Sequence, residues 1–547
     1  MLNFLPSINS CIVAISGFFL TVLLIPLFSN AQLSGDYTLN ANFYDYDEDL
    51  FEGDAPTQYK REHSSAESWL FLNYRYENFE FTLRHDIFHN SPLHDPQESF
   101  TEQGIGFFSA SVDIEDLSIT AGSFYDQFGS GMLFRAFEER TIGLDYAIEG
   151  VRLQYDLTDD LSLKGFTGQQ KNRFSRFDQV VTGLQVEHFY NKEIADRELN
   201  LQTEAATLNR TLNQSMMDQI ASEINNAPLE HRREQFEGNE PKHNVYGGMG
   251  YFSANYGNFT FSSEFAGKTG EAIRNPSLDN DLLIHENGYG IRKRLGYSQR
   301  GLGINLRFKY TDHLSLRSHP YTDPEEGILN YVPSFTRQHA YRLTARYAAA
   351  NHEPGEAGLQ LDATWSPERG NTFGLNFSHV TTHNDDDLFS EAYLDYERRW
   401  SRALTTTHGL QALQYNQRIF EGKPEADMVE ALTMVNEANY RLNRTHSLRT
   451  ELQYLYTEED LGDFAYILLE WNISPNYSFS VSDMINTRPQ EHDDIQHFYS
   501  VFASYRHRQT RFTLSYSKQP EGVVCTGGVC RVEPAFSGVQ AGVTTNF

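Results

Sequence analysis

The sequence predicts an all-β fold: a large antiparallel transmembrane β-barrel of about 24 strands, roughly 22–26, with a helical insertion in one loop. Three observations carry this expectation. The C-terminal segment Ala535 to Phe547 alternates in twos and ends on an aromatic ring. The N-terminal segment reads as a secretory leader. Between them, strand-like runs are joined alternately by tight and long connections.

In the C-terminal segment, Phe547, Thr545, Val543, Ala541 and Val539 form an apolar or small face, while Asn546, Thr544, Gly542, Gln540 and Gly538 form the other. Period two is the repeat of a strand with one greasy face and one wet face. A final strand ending on Phe in a secreted chain suits the machinery that inserts outer-membrane barrels. A soluble sandwich gives no reason for that terminal aromatic.

At the other end, Met1 to Ala31 has the layout of a signal peptide (residues 1–31). Cys11 to Phe28 is uncharged and mostly apolar, Ser29-Asn30-Ala31 supplies small residues for cleavage, and Gln32 is the expected mature start. No Lys or Arg precedes the apolar run, so a retained membrane anchor is the alternative. Cys11 opens the run rather than following it, which fits a lipoprotein poorly. No later segment has the length of an apolar membrane helix. The mean hydropathy of -0.54 would suit a soluble protein, but in a barrel only alternate residues face lipid.

The 547 residues show no Pro/Ser-rich linker and no shift in composition, so residues 32–547 are expected to form one barrel. Tyr (31) and Phe (39) are abundant, and aromatics crowd the tight turns: Tyr74, Tyr76 and Phe79 around Glu77-Asn78, Tyr256 and Phe259 around Gly257-Asn258. Girdles at the two water–lipid boundaries use such half-wet rings. Loss of Cys11 with the leader leaves Cys525 and Cys530 flanking Thr526-Gly527-Gly528-Val529, a hairpin tip that a disulfide would close. The formal charge of -30 argues against nucleic acid, which needs a basic patch. It suits a surface among outer-membrane lipid and lipopolysaccharide bridged by divalent cations. Acidic runs at Asp45 to Asp54 and Asp385-Asp386-Asp387 fall in expected outer loops, either as partner-binding elements or as plain solvated loops.

The first strand places Leu33, Gly35, Tyr37, Leu39, Ala41 and Phe43 on one face and Ser34, Asp36, Thr38, Asn40 and Asn42 on the other. Further strands are expected at 66–76, 79–88, 103–113, 117–125, 149–156 and 161–168, with tight links at 77–78, 114–116 and 157–160 and long ones at 45–65, 89–102 and 126–148. Short turns on one side and long loops on the other is the arrangement of outer-membrane barrels. The middle is less regular, with strands expected around 244–256, 259–268, 287–298, 301–310 and 335–349, and parity asks for one more between 311 and 334. From 357 onward the rhythm returns, with turns near 367–371, 401–402, 443–445, 474–476 and 508–509.

Lys192 to Phe236 departs from the strand pattern. Leu201, Ala205, Leu208, Leu212, Met216, Ile220 and Ile224 recur at three and four, an apolar helical stripe, and Asn225-Asn226-Ala227-Pro228 supplies a stop. A helical insert over 192–236 is expected to cap the mouth, plug the lumen, grip a partner or simply pack on its own barrel. Residues 177–190 read as strand and extend toward it.

Chemistry-bearing motifs are scarce, and no catalytic residue, cofactor or metal is expected. Gly267-Lys268-Thr269 echoes a phosphate loop without its earlier glycine or its following helix. His379 and His383 lie four apart on a strand, which separates them by ~13 Å, too far to share a metal. His383 with Asp385 to Asp387 could imitate an acidic catalytic mouth, though a charged loop tip is the commoner meaning. The richest constellation spans residues 126 to 152. Gly129 and Gly131 permit unusual backbone conformations, and Arg135, Glu138, Glu139, Arg140 and Asp145 place both charge signs in one inter-strand connection. Such charges would either line a constriction that filters solutes or form a salt-bridge network that holds a loop still.

Gln127-Phe128-Gly129-Ser130-Gly131-Met132, Phe134-Arg135 and Glu138-Glu139-Arg140 resemble a family of Bacteroidota outer-membrane barrels catalogued as a domain of unknown function. The likeness continues at Tyr297-Ser298-Gln299, Gly301-Leu302-Gly303, Leu316-Arg317-Ser318, Asn330-Tyr331-Val332-Pro333 and Gln338-His339-Ala340-Tyr341. It runs from about Leu33 to Phe547, and the helical insert is a point of departure. The resemblance implies compartment and architecture, and no substrate.

Three function classes follow. A channel or transport pore of unknown solute comes first, because a barrel this wide exceeds what its own strand side chains can fill. A structural or secretion component of the envelope, meeting protein partners through long acidic loops, is the alternative. An enzyme in the mouth comes last. The first strand begins directly after the expected cleavage site, which leaves no room for the N-terminal plug domain of energy-coupled transporters.

Overall fold

Every barrel strand in the computed structural model pairs antiparallel with its sequence neighbour in the sheet, around a ring of 24 strands. The structure describes residues 31–547 except 46, 48–49, 51–60, 95–98, 275–281, 322–325, 491–494, 527–528 and 534. The expected leader to Asn30 therefore lies outside the described residues. The ring closes between Ala31–Tyr44 and Phe536–Asn546, in register from Asp36↔Asn546 to Tyr44↔Gly538. Phe547 and Gly35 exchange both backbone hydrogen bonds at 3.0 Å. A closed ring leaves no unpaired sheet edge, which a membrane-spanning sheet requires.

Alternation decides which side chains meet which medium. Along Ser175–Ile194, Phe177, Gln179, Val181, Gly183 and Gln185 are buried while Val180, Thr182, Leu184 and Val186 are exposed outward. The outward surface elsewhere carries large apolar groups, among them Leu295, Leu306, Ile467, Val481 and Leu514. Close to the tight turns, Trp365, Phe373 and Tyr396 stack in a row with centroids 5.4 and 4.6 Å apart. Tyr477 and Tyr505 do the same at 4.9 Å. Among the described residues no helix is long and apolar enough to cross a membrane.

Tight links at 77–78, 115–116, 159–160, 195–196 and 257–258 sit at one end, and at the other end the long connections at 125–147, 212–243 and 313–354. The expected number of strands agrees with the ring, but the set differs. Among the described residues no strand forms at 335–349 or between Asp312 and residue 334. Residues 313–354 instead cross the interior between Leu302–Asp312 and Gly355–Glu368. Leu314, Leu316, Leu329, Phe335, Leu343 and Tyr347 from this segment are buried, giving it an apolar rhythm without a ladder partner.

The helical insert over 192–236 also needs correction. Residues 192–211 belong to two long strands, Ser175–Ile194 and Arg197–Thr211, which pair from Val180↔Thr211 to Ile194↔Arg197. Ala195 and Asp196 turn the chain with positive φ of 49° and 61°, the backbone of a tight hairpin. The outward face of the second strand, with Thr203, Ala205, Thr207 and Asn209, is too weakly apolar to announce itself. Its inward face carries Glu204, Ala206, Leu208 and Arg210. The helices are shorter: α1 (Gln214–Asn226) and α2 (Leu229–Phe236). Asn213 caps α1 by accepting from Met216 N at 2.9 Å, and the helix stops at Asn226, within the expected Asn225-Asn226-Ala227-Pro228 stop. Met216 and Ile220 of α1 and Phe236 of α2 cluster with Leu212, Ala272 and Leu283, seating the helical pair on the long-loop rim.

Candidate functional site

The interior is occupied by the chain itself. Two connections, 125–147 and 313–354, fold inward and lie against the barrel wall. Phe128, Met132 and Phe134 are fully buried with Phe166, Val181, Leu208 and Met249 of the strands and with Leu314, Leu316 and Leu329 of the second segment. A second cluster joins Phe335, Leu343 and Tyr347 to Leu413, Tyr415, Leu455 and Phe464 on the opposite strands.

Polar wall residues clasp the first connection. Gly129 N donates to Glu204 Oε1 at 2.7 Å, and Ser130 N donates to Glu264 Oε2 at 3.2 Å. Gly129 has φ +51°, and a Cβ there would meet Met249 Cε at 2.5 Å, so both conformation and space require glycine. Gly131 has φ +98° and its carbonyl accepts from Tyr331 N at 2.8 Å. The glycines flagged in the sequence therefore sit at the closest approach of loop, wall and second segment.

The charges predicted over 135–145 are engaged, each in a particular way. Arg84, from Phe79–Ser91, donates Nε to Asp86 Oδ1 at 2.8 Å and Nη2 to Asp145 Oδ2 at 2.7 Å, and its Nη1 pairs with Glu138. Lys171 also pairs with Asp145, and Tyr125 Oη donates to Asp145 Oδ1 at 3.0 Å. Burial alone would raise the Asp145 carboxyl, but Lys171 and Arg84 outweigh it and hold it below its ordinary value. Arg140 Nε lies 2.9 Å from Glu138. Glu139 accepts from Thr141 Oγ1 at 2.6 Å in the short 3-10 turn Arg140–Ile142. The Arg135 guanidinium lies between the Phe137 and Tyr331 rings, at 4.5 and 4.3 Å from their centroids.

The second segment is fastened as densely. Gln170 Nε2 donates to Ile328 O at 2.6 Å and Ser318 Oγ to Gln170 Oε1 at 2.5 Å. Farther on, Lys309 Nζ donates to Pro333 O at 2.6 Å, Leu343 N to Gln453 Oε1 at 2.7 Å and Tyr347 Oη to Asp460 Oδ2 at 2.9 Å. His339 pairs with Glu391, and Arg346 Nη2 with Asp460 at 3.1 Å. Asn330 joins the two segments: its Nδ2 donates to Met132 O and Leu314 O, and its Oδ1 accepts from Leu316 N.

Sequence reasoning missed Arg84, Asp86, Lys171, Glu204, Glu264 and Asn330. Arg84 and Asp86 two apart on one strand face carried a signal, since paired opposite charges on an inward face need a reason. The lone carboxylates Glu204 and Glu264 look like any lumen residue. The other motifs do not assemble. Lys268 lies within Phe259–Arg274 and pairs with Glu271. His379 contacts Ser390 Oγ at 2.8 Å. His383 contacts Thr311 O at 2.7 Å and stacks on Tyr310 at 4.8 Å, away from His379's partner. Asp386 N and the Asp386 carboxylate both engage Thr382 Oγ1 in a tight turn. Cys525 and Cys530 face one another in the register of Gly522–Thr526 and Val529–Glu533, and their side chains lie outside the described residues.

A family model described as "Family of unknown function (DUF6029)" matches residues 11–547, and the chain belongs to that family. No curated protein matches it. Solved structures resemble it in fold only. The P pilus usher PapC translocation pore is 10% identical with a TM-score of 0.40, covering 94% of this chain and 99% of that one. The siderophore receptor PirA from Pseudomonas aeruginosa is 10% identical with a TM-score of 0.41, covering 94% and 80%. The ferric citrate transporter FecA, unliganded, is 8% identical with a TM-score of 0.41, covering 94% and 79%.

Proposed function

We propose, for this member of the DUF6029 family, an outer-membrane pore that rests closed, its lumen occupied by the inward segments 125–147 and 313–354. The carrying observation is the clasp of Glu204 and Glu264 on the backbone of Gly129-Ser130. Wall carboxylates accepting from the loop's peptide groups fix segment 125–147 inside the lumen instead of leaving it at the mouth. In this reading Glu138, Arg140 and Asp145 anchor the closed state through Arg84, and Arg135 joins the two segments, rather than forming a selectivity ring. The outward apolar surface and terminal aromatic strand support residence in the outer membrane, with lipopolysaccharide around the acidic long-loop end. No catalytic role is assigned to the turn at 382–386.

The test is single-channel recording in planar bilayers. The intact barrel should conduct little, and replacing 314–349 by a short Gly/Ser linker should open a large steady conductance. An inserted, linker-bearing barrel that stays silent would refute the pore. A second reading, a non-transporting component of an envelope complex, draws support from the fully buried apolar clusters, which resemble a folded core more than a mobile gate. It expects silence in both proteins and co-purification of other envelope proteins in mild detergent.

A further inference from the structure

Beside the Arg84 anchor, a cavity of about 270 Å³ lies between the inward faces of Ser64–Tyr76 and Phe79–Ser91 and the connection at 138–146. A second cavity of about 370 Å³ adjoins it, with Asn172, Phe177 and Glu326 lining both. The cleft reaches the long-loop rim at Phe174. Each volume is near or within the size range of small-molecule sites, roughly 300–1,000 Å³.

Its chemistry has three parts. The first cavity is walled by aromatic side chains, Trp69, Phe88, Tyr146, Phe174 and Phe177. Its charges cancel: Arg84 faces Asp86, Arg140 faces Glu138, Lys171 faces Asp145 and Arg173 faces Glu326, the last at 3.4 Å. In a chain of net charge -30, that local balance makes the cleft a place for an uncharged guest. The second cavity is polar, with Asn172, Asp178 and Gln179. Gln179 is 1% exposed, and its Oε1 accepts no hydrogen bond from the described residues. A buried acceptor left unpaired is costly, and a hydroxyl donor entering this cavity would relieve it.

We propose that this cleft binds a neutral saccharide. A sugar ring has an apolar C–H face for the aromatic walls and a rim of hydroxyls that donate and accept for Gln179, Asn172 and Asp178. An ionic ligand would need an excess of one charge sign, and the lining carries as many cationic as anionic side chains, Arg176 and Asp178 of the second cavity included. A purely aromatic ligand would leave the amide of Gln179 without a donor. The proposal does not rest on conduction, since a barrel that never opens would present the same cleft.

The chain has 4 tryptophans. Trp69 is 5% exposed and lines the cleft, while Trp365, Trp400 and Trp471 are exposed on the barrel surface. Purified protein in an amine-oxide detergent, free of glycosidic headgroups, is titrated with maltotriose, cellotriose and a trimer of galacturonic acid while emission is followed. The expected result is a saturable change with at least one neutral trimer and none with the acidic one. The change should disappear in Trp69→Phe, and affinity should fall about tenfold in Phe177→Ala. Calorimetry on the unmodified protein serves as the second measurement should either variant fail to fold. Silence of both neutral sugars at millimolar concentration in emission and heat overturns the proposal, as does equal binding of the acidic trimer.

Discussion

Asn330→Leu should release the inward segments while leaving the barrel standing. Asn330 is 5% exposed, and its side-chain bonds to Met132 O (3.0 Å), Leu314 O (3.1 Å) and Leu316 N (2.8 Å) involve only the two inward segments. Leucine has nearly the same shape and can make none of them. At about 1 kcal/mol for each bond, the loss is roughly 3 kcal/mol, taken from the closed state of the segments. Every 1.4 kcal/mol is tenfold in an equilibrium, so opening should become about a hundredfold more frequent. Hydrogen exchange with mass spectrometry reads this directly, because amides exchange through local opening. Peptides covering 314–332, which lose all three bonds, should exchange about a hundredfold faster, those covering 127–136, which lose the one to Met132 O, about fivefold faster, and those from His446–Thr457 should be unchanged. Wild-type protection at 127–136 in a folded variant would refute the idea that Asn330 ties the segments together. Uniform loss across the strands would refute the idea that they open independently of the wall.

Gly129→Ala forces a Cβ against Met249 Cε at φ +51°. At about 1–2 kcal/mol, it should visibly speed tryptic cleavage after Arg140. Asp145 gives a pH signature. Its folded-state pKa is depressed below 3.8 by Lys171 and Arg84 despite burial, so its contribution is complete above that value and lost as pH falls through the lower folded one. Protection of 138–147 should therefore be flat from about pH 8 to 5 and decline only below about pH 4; a decline centred near pH 6 would assign the effect to another group. Cys525 and Cys530, directly opposed in register, should resist alkylation until a reductant is added. Immediate alkylation of protein secreted to an oxidising compartment would exclude the disulfide.

The barrel was legible where its two faces differ sharply. Strands such as Ala31–Tyr44 and Phe536–Asn546 alternate between large apolar and polar groups, and their turns carry Gly, Asn and Asp. Legibility failed where the contrast is low. Arg197–Thr211 has Thr, Ala and Asn on its outward face, so chance spacing of Leu and Ala read as helix. The interior segment failed for the opposite reason. Leu314, Leu316, Phe335 and Leu343 are buried among wall residues, and their rhythm imitates strands that a ladder never completes. Of the site, the loop was legible and its receptors were not. Gly129, Gly131 and the charges from Arg135 to Asp145 stand close together in the chain, whereas Arg84 lies 61 residues from Asp145 and Glu264 134 from Ser130. Partners that distant are brought together by strand order around the ring, which local periodicity does not encode. Of the segments carrying the family resemblance, those at 127–140, 316–318 and 330–341 fall in or beside the two inward connections, while 297–299 and 301–303 fall at the tight turn between Leu283–Gln299 and Leu302–Asp312.

The seam between Ala31–Tyr44 and Phe536–Asn546 imposes a chronology on assembly. Gln540 reaches Asn42 across 498 residues of chain, so the cylinder cannot shut until Phe536–Asn546 has been made and meets Ala31–Tyr44. Until then two raw edges stand open, each a template for wrong pairing, and the entropic cost of uniting them is the largest loop closure in the molecule. Keeping those edges from other strands until they meet is therefore a requirement of the geometry. The residues of the seam, more than those of the lumen, should govern how fast the protein reaches its native form.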